Sequence, residues 1–285
     1  MKKIIQRLIV FVVGLPVLLS IVIFFPQCNH LLMNLAVIVF TILGAVEFRN
    51  ILANKGLVIS LSEAIVLGAI SPAAWTLVVS FGVSSLIVPG AFALGAIWLL
   101  VSKVFSSEKY IDLYISRSTA GFALMIYPGL FMAWIVQMAV LPHSSMLILL
   151  YLLLVLLNDS AAWLAGILFG KGNRGIVKAS PNKSIAGFIS GLAISVITGI
   201  LAPLLLPGVF VSTLMPSLLA GALLGLGTGS AAILGDLSES ALKRSAGLKD
   251  SGSLILGRGG ALDSLDSLAL AAPVFYIIYQ VLFFK

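Results

Sequence analysis

Charge is what this 285-residue sequence has least of. Acidic and basic side chains make up 9% of it and hydrophobic residues 60%, whereas an average soluble domain is about 25% charged and roughly 45–50% apolar. That balance excludes an ordinary water-soluble domain and a solvated disordered chain. Cysteine is almost missing. Cys28 is the only one, which excludes an internal disulfide framework and a multi-cysteine metal site. Histidine is nearly as rare, at His30 and His143. No internal repeat or low-complexity linker is visible.

Long apolar runs are there instead, and they recur along the whole chain. A helix of ~20 apolar residues spans a bilayer. The runs predict about nine spans: Leu8 to Phe25, Leu31 to Phe48, Ala64 to Phe81, Leu86 to Val104, Thr119 to Leu141, Met146 to Phe169, Ile185 to Leu206, Leu214 to Leu234 and Asp263 to Phe284. The first follows Lys2, Lys3 and Arg7 like a signal peptide, but it is too long and has no small-residue cleavage site, so it is read as a retained helix. The expected fold is all-α, a polytopic integral membrane protein with a cytoplasmic N-terminus. It forms one membrane domain over 1–285, with N-terminal helices in 1–145 and catalytic helices with cytoplasmic loops in 146–285.

The orientation comes from the basic residues. With the N-terminus inside, every Lys and Arg except Lys285 falls in an inner segment, as the positive-inside rule requires. The net charge of +7 would suit a nucleic-acid partner, but this distribution assigns it to membrane topology instead. All ten acids also gather at inner ends, in inner loops or within a span, which that rule does not demand. Both histidines fall in short outer connections, which argues against a histidine base or ligand on the inner face. A polar site at the inner face of the plasma membrane follows.

Asp159 lies well inside the sixth span, in Asn158-Asp159-Ser160. An ionised aspartate there costs ~2.5–3.5 kcal/mol and usually faces a cavity or a partner; the alternative is an interhelical hydrogen bond. The loop that follows carries Lys171, Arg174, Lys178 and Lys183 among glycines, which suits a phosphate-rich ligand as well as it suits plain topology. At the inner end of the eighth span, Asp236, Glu239, Ser240 and Lys243 share one helical face. Arg244, Lys249 and Asp250 come next. Then comes Gly257-Arg258-Gly259-Gly260-Ala261-Leu262-Asp263-Ser264-Leu265-Asp266. Glycines and a helix N-terminus together favour an anion, and two aspartates at i and i+3 can hold a hard cation such as Mg²⁺. Asp263 as an N-cap with Asp266 in the first turn is the competing reading. The close pairs Gly166 with Gly170, Gly187 with Gly191 and Gly221 with Gly225 have the spacing of helix packing in membranes.

These residues resemble the signature of the phosphatidate cytidylyltransferase (CDP-diacylglycerol synthase) family, S-x-L-K-R, four residues, K-D, a P-G-H-G-G loop and D-R-x-D. Ser240, Leu242, Lys243, Arg244, Lys249, Asp250, Gly257, Gly259, Gly260, Asp263 and Asp266 match it at unbroken spacing. Upstream, Gly235, Asp236, Leu237, Glu239 and Ser240 are similar to G-D-L-x-E-S. Asn158, Asp159, Ser160, Ala162 and Trp163 resemble N-D-T-x-A-Y, Gly170 and Lys171 a G-K, and Ser180, Pro181, Lys183, Ser184 and Gly187 an S-P-K-K-T-x-E-G. Glu47-Phe48 also looks familial. The C-terminal signature is divergent: Arg258 stands for His, Ser264 for Arg, Leu256 for Pro, Asn182 for Lys and Ala186 for Glu.

The resemblance implies transfer of CMP from CTP to phosphatidic acid, giving CDP-diacylglycerol and pyrophosphate in phospholipid biosynthesis. It implies metal ligation of one or two Mg²⁺ by Asp236, Asp263 and Asp266. Catalytic roles fall to Lys243, Arg244, Lys249, Asp250 and Arg258. Substrate contacts fall to Asp159, Lys171, Lys183, Ser184, Ser240, Gly259 and Gly260. CTP, phosphatidic acid and membrane lipid are the expected partners, with a homodimer left open. The alternatives are a CTP-dependent polyprenol or phytol kinase, a cytidylyltransferase for ether lipids, and a non-enzymatic secondary transporter. A CDP-alcohol phosphotransferase is disfavoured, because its D-G-x-x-A-R pattern is missing.

Overall fold

The computed structural model describes residues 14–102, 104, 111–255 and 259–283. The readings at Lys2, Lys3, Arg7, Lys103, Glu108, Lys109, Gly257, Arg258 and Lys285 therefore lie outside the described residues. Helices α1 (Leu15–Phe24), α2 (Gln27–Ala53), α3 (Leu61–Phe81), α4 (Ile87–Val101) and α5 (Tyr114–Val140) form the first half. They are followed by α6 (Ser144–Leu168), α7 (Ile185–Leu205), α8 (Ser217–Ser245) and α9 (Leu262–Phe283). Seven of them, α2, α3 and α5 to α9, are long and apolar enough to cross a membrane. At ~1.5 Å per residue, the shortest of these seven reaches about 31 Å, the thickness of a ~30 Å hydrocarbon core. The protein is an all-α polytopic membrane protein.

The predicted spans and the helices coincide in order, and their limits differ for physical reasons. Helix α4 has 15 residues, about 22 Å, short of the stretch expected to Val104. In α2 the residues Cys28, Asn29 and His30 have left-handed backbone angles, so regular helix begins at Leu31, but it continues past Phe48 to Ala53. Helix α8 runs on past Leu234 to Ser245, which carries Asp236, Glu239, Ser240 and Lys243 on unbroken helix. Inside α5, a π segment at Met125–Leu130 contains Pro128, whose missing N–H interrupts the regular ladder.

The chain divides into two compact units. The first is Met1–Leu141 with Leu242–Leu265, and the second is Pro142–Ala241 with Asp266–Lys285.

In the first unit, Ser60 and Glu63 form a reciprocal capping box at the start of α3, satisfying two otherwise orphaned N–H groups. Glu63 also pairs with the buried Arg117 of α5. The ring of Phe48 meets Tyr127 edge-on with centroids 5.4 Å apart.

In the second unit, glycines set the helix spacing. Gly191 of α7 lies against α6, where a Cβ would come 2.8 Å from Asn158 Oδ1 and 3.0 Å from its carbonyl oxygen. Gly225 of α8 lies against α7, where a Cβ would strike the Ser195 carbonyl. Such close backbone approach is how membrane helices gain packing without a hydrophobic driving force. Phe275, Tyr279 and Phe283 stack along α9 at 6.2 and 5.7 Å. Gly225→Ala is expected to cost about 1–3 kcal/mol through overpacking, read as a lower unfolding temperature in detergent. Gly90→Ala, with open space around it, is expected to leave that temperature unchanged.

Candidate active site

The charged residues picked out by the sequence fall into two local constellations, one in each unit.

In the first unit, the segment before α9 is folded around two carboxylates. Asp263 pairs with the buried Lys243 through one oxygen. Its other oxygen accepts from Ser251 N at 3.0 Å, Ser251 Oγ at 2.9 Å and Gly260 N at 2.7 Å. Glu47, from α2, accepts from Ala261 N at 3.0 Å, Leu262 N at 2.9 Å and Ser251 Oγ at 2.9 Å. These are the first amides of α9, which have no partner inside the helix. Glu47 supplies the negative charge that a helix N-terminus attracts.

In the described part of the glycine segment the backbone amides are engaged within the protein. Gly259 N donates to the Ile255 carbonyl at 3.0 Å, Gly260 N is taken by Asp263, and a Cβ on Gly260 would collide with Glu47 and Ser251. Asp263 lies inside the first turn of α9, with both oxygens engaged by protein groups that precede the helix or pair with it. Gly259 has φ +120°, a conformation that only glycine adopts without strain. Arg244 is exposed and donates to the Leu248 carbonyl at 3.2 Å. Lys249 and Asp250 are exposed.

In the second unit, three acids lie in the neighbourhood of a fourth, buried one. Asp266 is buried on the first turns of α9 and accepts from Ser267 N at 2.6 Å. Asp236 and Glu239 of α8 and Asp159 of α6 are all near enough to repel its charge. Ser267 Oγ donates to Asp159 at 3.3 Å. Lys183 pairs with Asp236 and places its ammonium 6.0 Å from the Phe188 ring centre. Ser240 Oγ is 3.5 Å from the other Asp236 oxygen, the long limit for such a bond. Ser184 caps α7 by accepting from Gly187 N at 3.1 Å. Asn158 braces the three helices, donating to Ser195 Oγ at 2.9 Å and to the Gly229 carbonyl at 3.3 Å. Lys171 is exposed in the loop after α6.

Among the described residues, no three His, Cys, Asp or Glu side chains converge as a ready metal cage. The donor chemistry nevertheless fits a hard divalent cation, which takes one or two carboxylates and fills its remaining positions with substrate phosphates and water. Gathering acids around a buried one is otherwise costly in a low dielectric.

The profile of the Cytidylyltransferase family matches residues 5–282. The chain belongs to that family. Among its relatives are YnbB of Escherichia coli, described as an uncharacterized protein, 39% identical over 163 residues, covering 52% of each chain. The phosphatidate cytidylyltransferase of Haemophilus influenzae is 38% identical over 145 residues, 48% of this chain and 47% of its own. That of Synechocystis is 39% identical over 130 residues, 44% and 42% of the two chains. The chain thus spans about half the length of the curated relatives it matches.

Family membership places the motif residues in context, and the geometry adds two that the sequence reading did not assign to the site. Glu47 was noticed only as a familial resemblance; the signal for more was an acid at the inner end of an apolar run. Ser251 carried no signal, since its partner Glu47 is 204 positions away. Glu47→Ala is expected to destabilise the fold by at least about 1.5–3 kcal/mol, the value of hydrogen bonds to a charged group. It should also admit protease between Asp250 and Ala261. Thermal unfolding with limited proteolysis checks both effects, and Glu47→Gln should recover part of the loss.

Proposed function

We propose that this chain is a phosphatidate cytidylyltransferase, transferring CMP from CTP to phosphatidic acid to give CDP-diacylglycerol and pyrophosphate. The observation that carries the reading is buried Asp266 facing Asp236, Asp159 and Glu239 beside Lys183, in a member of the Cytidylyltransferase family. In the reaction an oxygen of the phosphatidate phosphate bonds to the α-phosphorus of CTP. The bond from that phosphorus to the bridging oxygen breaks, and pyrophosphate leaves with the electron pair.

Such a transfer asks little covalent chemistry of a protein and much positioning and charge neutralisation. Asp266 and Asp236, with Asp159 behind them, would hold Mg²⁺, which when bound supplies charge neutralisation for the triphosphate and the departing pyrophosphate. Lys183, resting on Asp236, is poised to exchange that partner for a phosphate oxygen, and as a point charge it does so without a fixed bidentate geometry. Asp263 holds Lys243 in a set orientation for an incoming phosphate. By the family motif, Arg244, Lys249, Asp250 and Arg258 serve the triphosphate, while Lys171, Ser184 and Ser240 complete the substrate contacts.

The expected setting is the inner membrane, with the N-terminus and the site facing the cytoplasm, where CTP is available. The acyl chains of phosphatidate stay in lipid. Asp266→Asn is expected to lower kcat by about 10²-fold or more, the scale of removing one transition-state charge partner, while leaving folding intact. Release of labelled CDP-diacylglycerol from CTP and phosphatidate in Mg²⁺ buffer measures this, and turnover within a few-fold of wild type would remove Asp266 from the site. Lys183→Ala is expected to raise KM for phosphatidate more than it lowers kcat, which the same assay reads across substrate concentrations.

A further inference from the structure

The outer face of the α7–α8 pair carries two shallow, open depressions. One depression of about 310 Å³ is lined by Phe188, Ile189, Leu192, Ser230, Ile233 and Leu234. A second of about 420 Å³ shares Ile189 and Leu192 and continues along Ala193, Val196, Ile197 and Leu226. Lipid-facing apolar residues occur on any membrane helix, so exposure alone decides nothing. What distinguishes this surface is what stands at one end. The two helices touch at Gly199 against Gly221 and at Ser195 against Gly225, and the depressions run from that level toward Phe188 and Leu234. Lys183 sits over the Phe188 ring, and Leu234 lies two residues before Asp236. The groove therefore has the Lys183 ammonium beside its Phe188 end and is lined, apart from Ser230, by apolar side chains.

We infer that this groove is the subsite for one acyl chain of the lipid substrate, with the phosphate head held at Lys183 and the chain laid along α7 from Phe188 to Ile197. That distance is about 13 Å at ~1.5 Å per residue, and each depression falls in the ~300–1,000 Å³ range of small-ligand pockets. A basic mouth joined to an apolar trough is complementary to an anionic amphiphile. A second copy of this chain would cover the trough but bring no anion to Lys183. The inference rests on the proposed reaction for its headgroup, and it adds that chain length is read by α7 and α8.

The test uses the full chain in phosphatidylcholine vesicles with two photoprobes, phosphatidate and phosphatidylcholine, each carrying a diazirine midway along one acyl chain. Peptide mapping is expected to find the phosphatidate probe on 188–197 and 226–234, competed by plain phosphatidate. The phosphatidylcholine probe is expected to label this stretch several-fold less. In parallel, Leu192→Trp and, on the opposite wall, Ile233→Trp are expected to raise the ratio of KM for dioleoyl over dioctanoyl phosphatidate about tenfold, the scale of steric discrimination in an apolar pocket. Equal labelling by both probes would reduce the groove to ordinary lipid contact and overturn the inference. So would an unchanged KM ratio in both variants, or a cross-link from the groove to a second copy. Failure of the wild type to turn over phosphatidate with CTP would instead overturn the proposed reaction, and the photolabelling would still report on the groove.

Discussion

The cost of holding three acids, Asp159, Asp236 and Glu239, near buried Asp266 is the constraint from which the rest of the second unit follows. Asp159, Asp236 and Glu239 come from α6 and α8 and meet Asp266 on α9. Like charges at low dielectric drive such helices apart unless packing elsewhere holds them together. Here glycines supply that packing, with Gly191 set against α6 and Gly225 against α7, and Asn158 ties α6, α7 and α8 by hydrogen bonds. A folding sequence does not retain this arrangement for stability, because leucine at any of these positions would remove the repulsion. Its chemical use is to receive positive charge, from Lys183 in the resting protein and from a cation and its nucleotide in the proposed reaction.

The first unit meets the opposite problem with the same kind of group. The start of α9 exposes backbone amides, and Glu47 satisfies them, while Asp263 takes the Gly260 N–H just before the helix. Acids with the same formal charge thus do two jobs a few residues apart. Asp263 is saturated by amides, a hydroxyl and Lys243, whereas Asp266, one helical turn on, faces other acids. Environment rather than residue type separates the organising carboxylate from the ligand candidate.

The apolar helices were legible because a bilayer imposes a length of ~20 residues on each, and a water-soluble core rarely calls for uncharged runs of that size. The motif from Asp236 to Asp266 was legible as a signature, and the placing of Asp236, Glu239, Ser240 and Lys243 on one helix followed from helical period. Three features were not. The end of the membrane span within α8 is one, because the helix itself continues unbroken from Asp236 to Ser245. The Glu47, Ser251 and Asp263 network joins positions far apart in the chain, which no local pattern encodes. The pairing of Lys183 with Asp236 spans 53 positions and was hidden because the loop carrying Lys183 holds several cations that look alike in sequence.

The most direct test of the two roles is cation binding itself, read by the electron paramagnetic resonance of Mn²⁺ titrated into the purified chain with CTP. Bound Mn²⁺ should be retained in Asp263→Asn and lost in Asp266→Asn, with both variants folded. Retention in Asp266→Asn together with loss in Asp263→Asn would contradict the account and return the metal to the glycine segment.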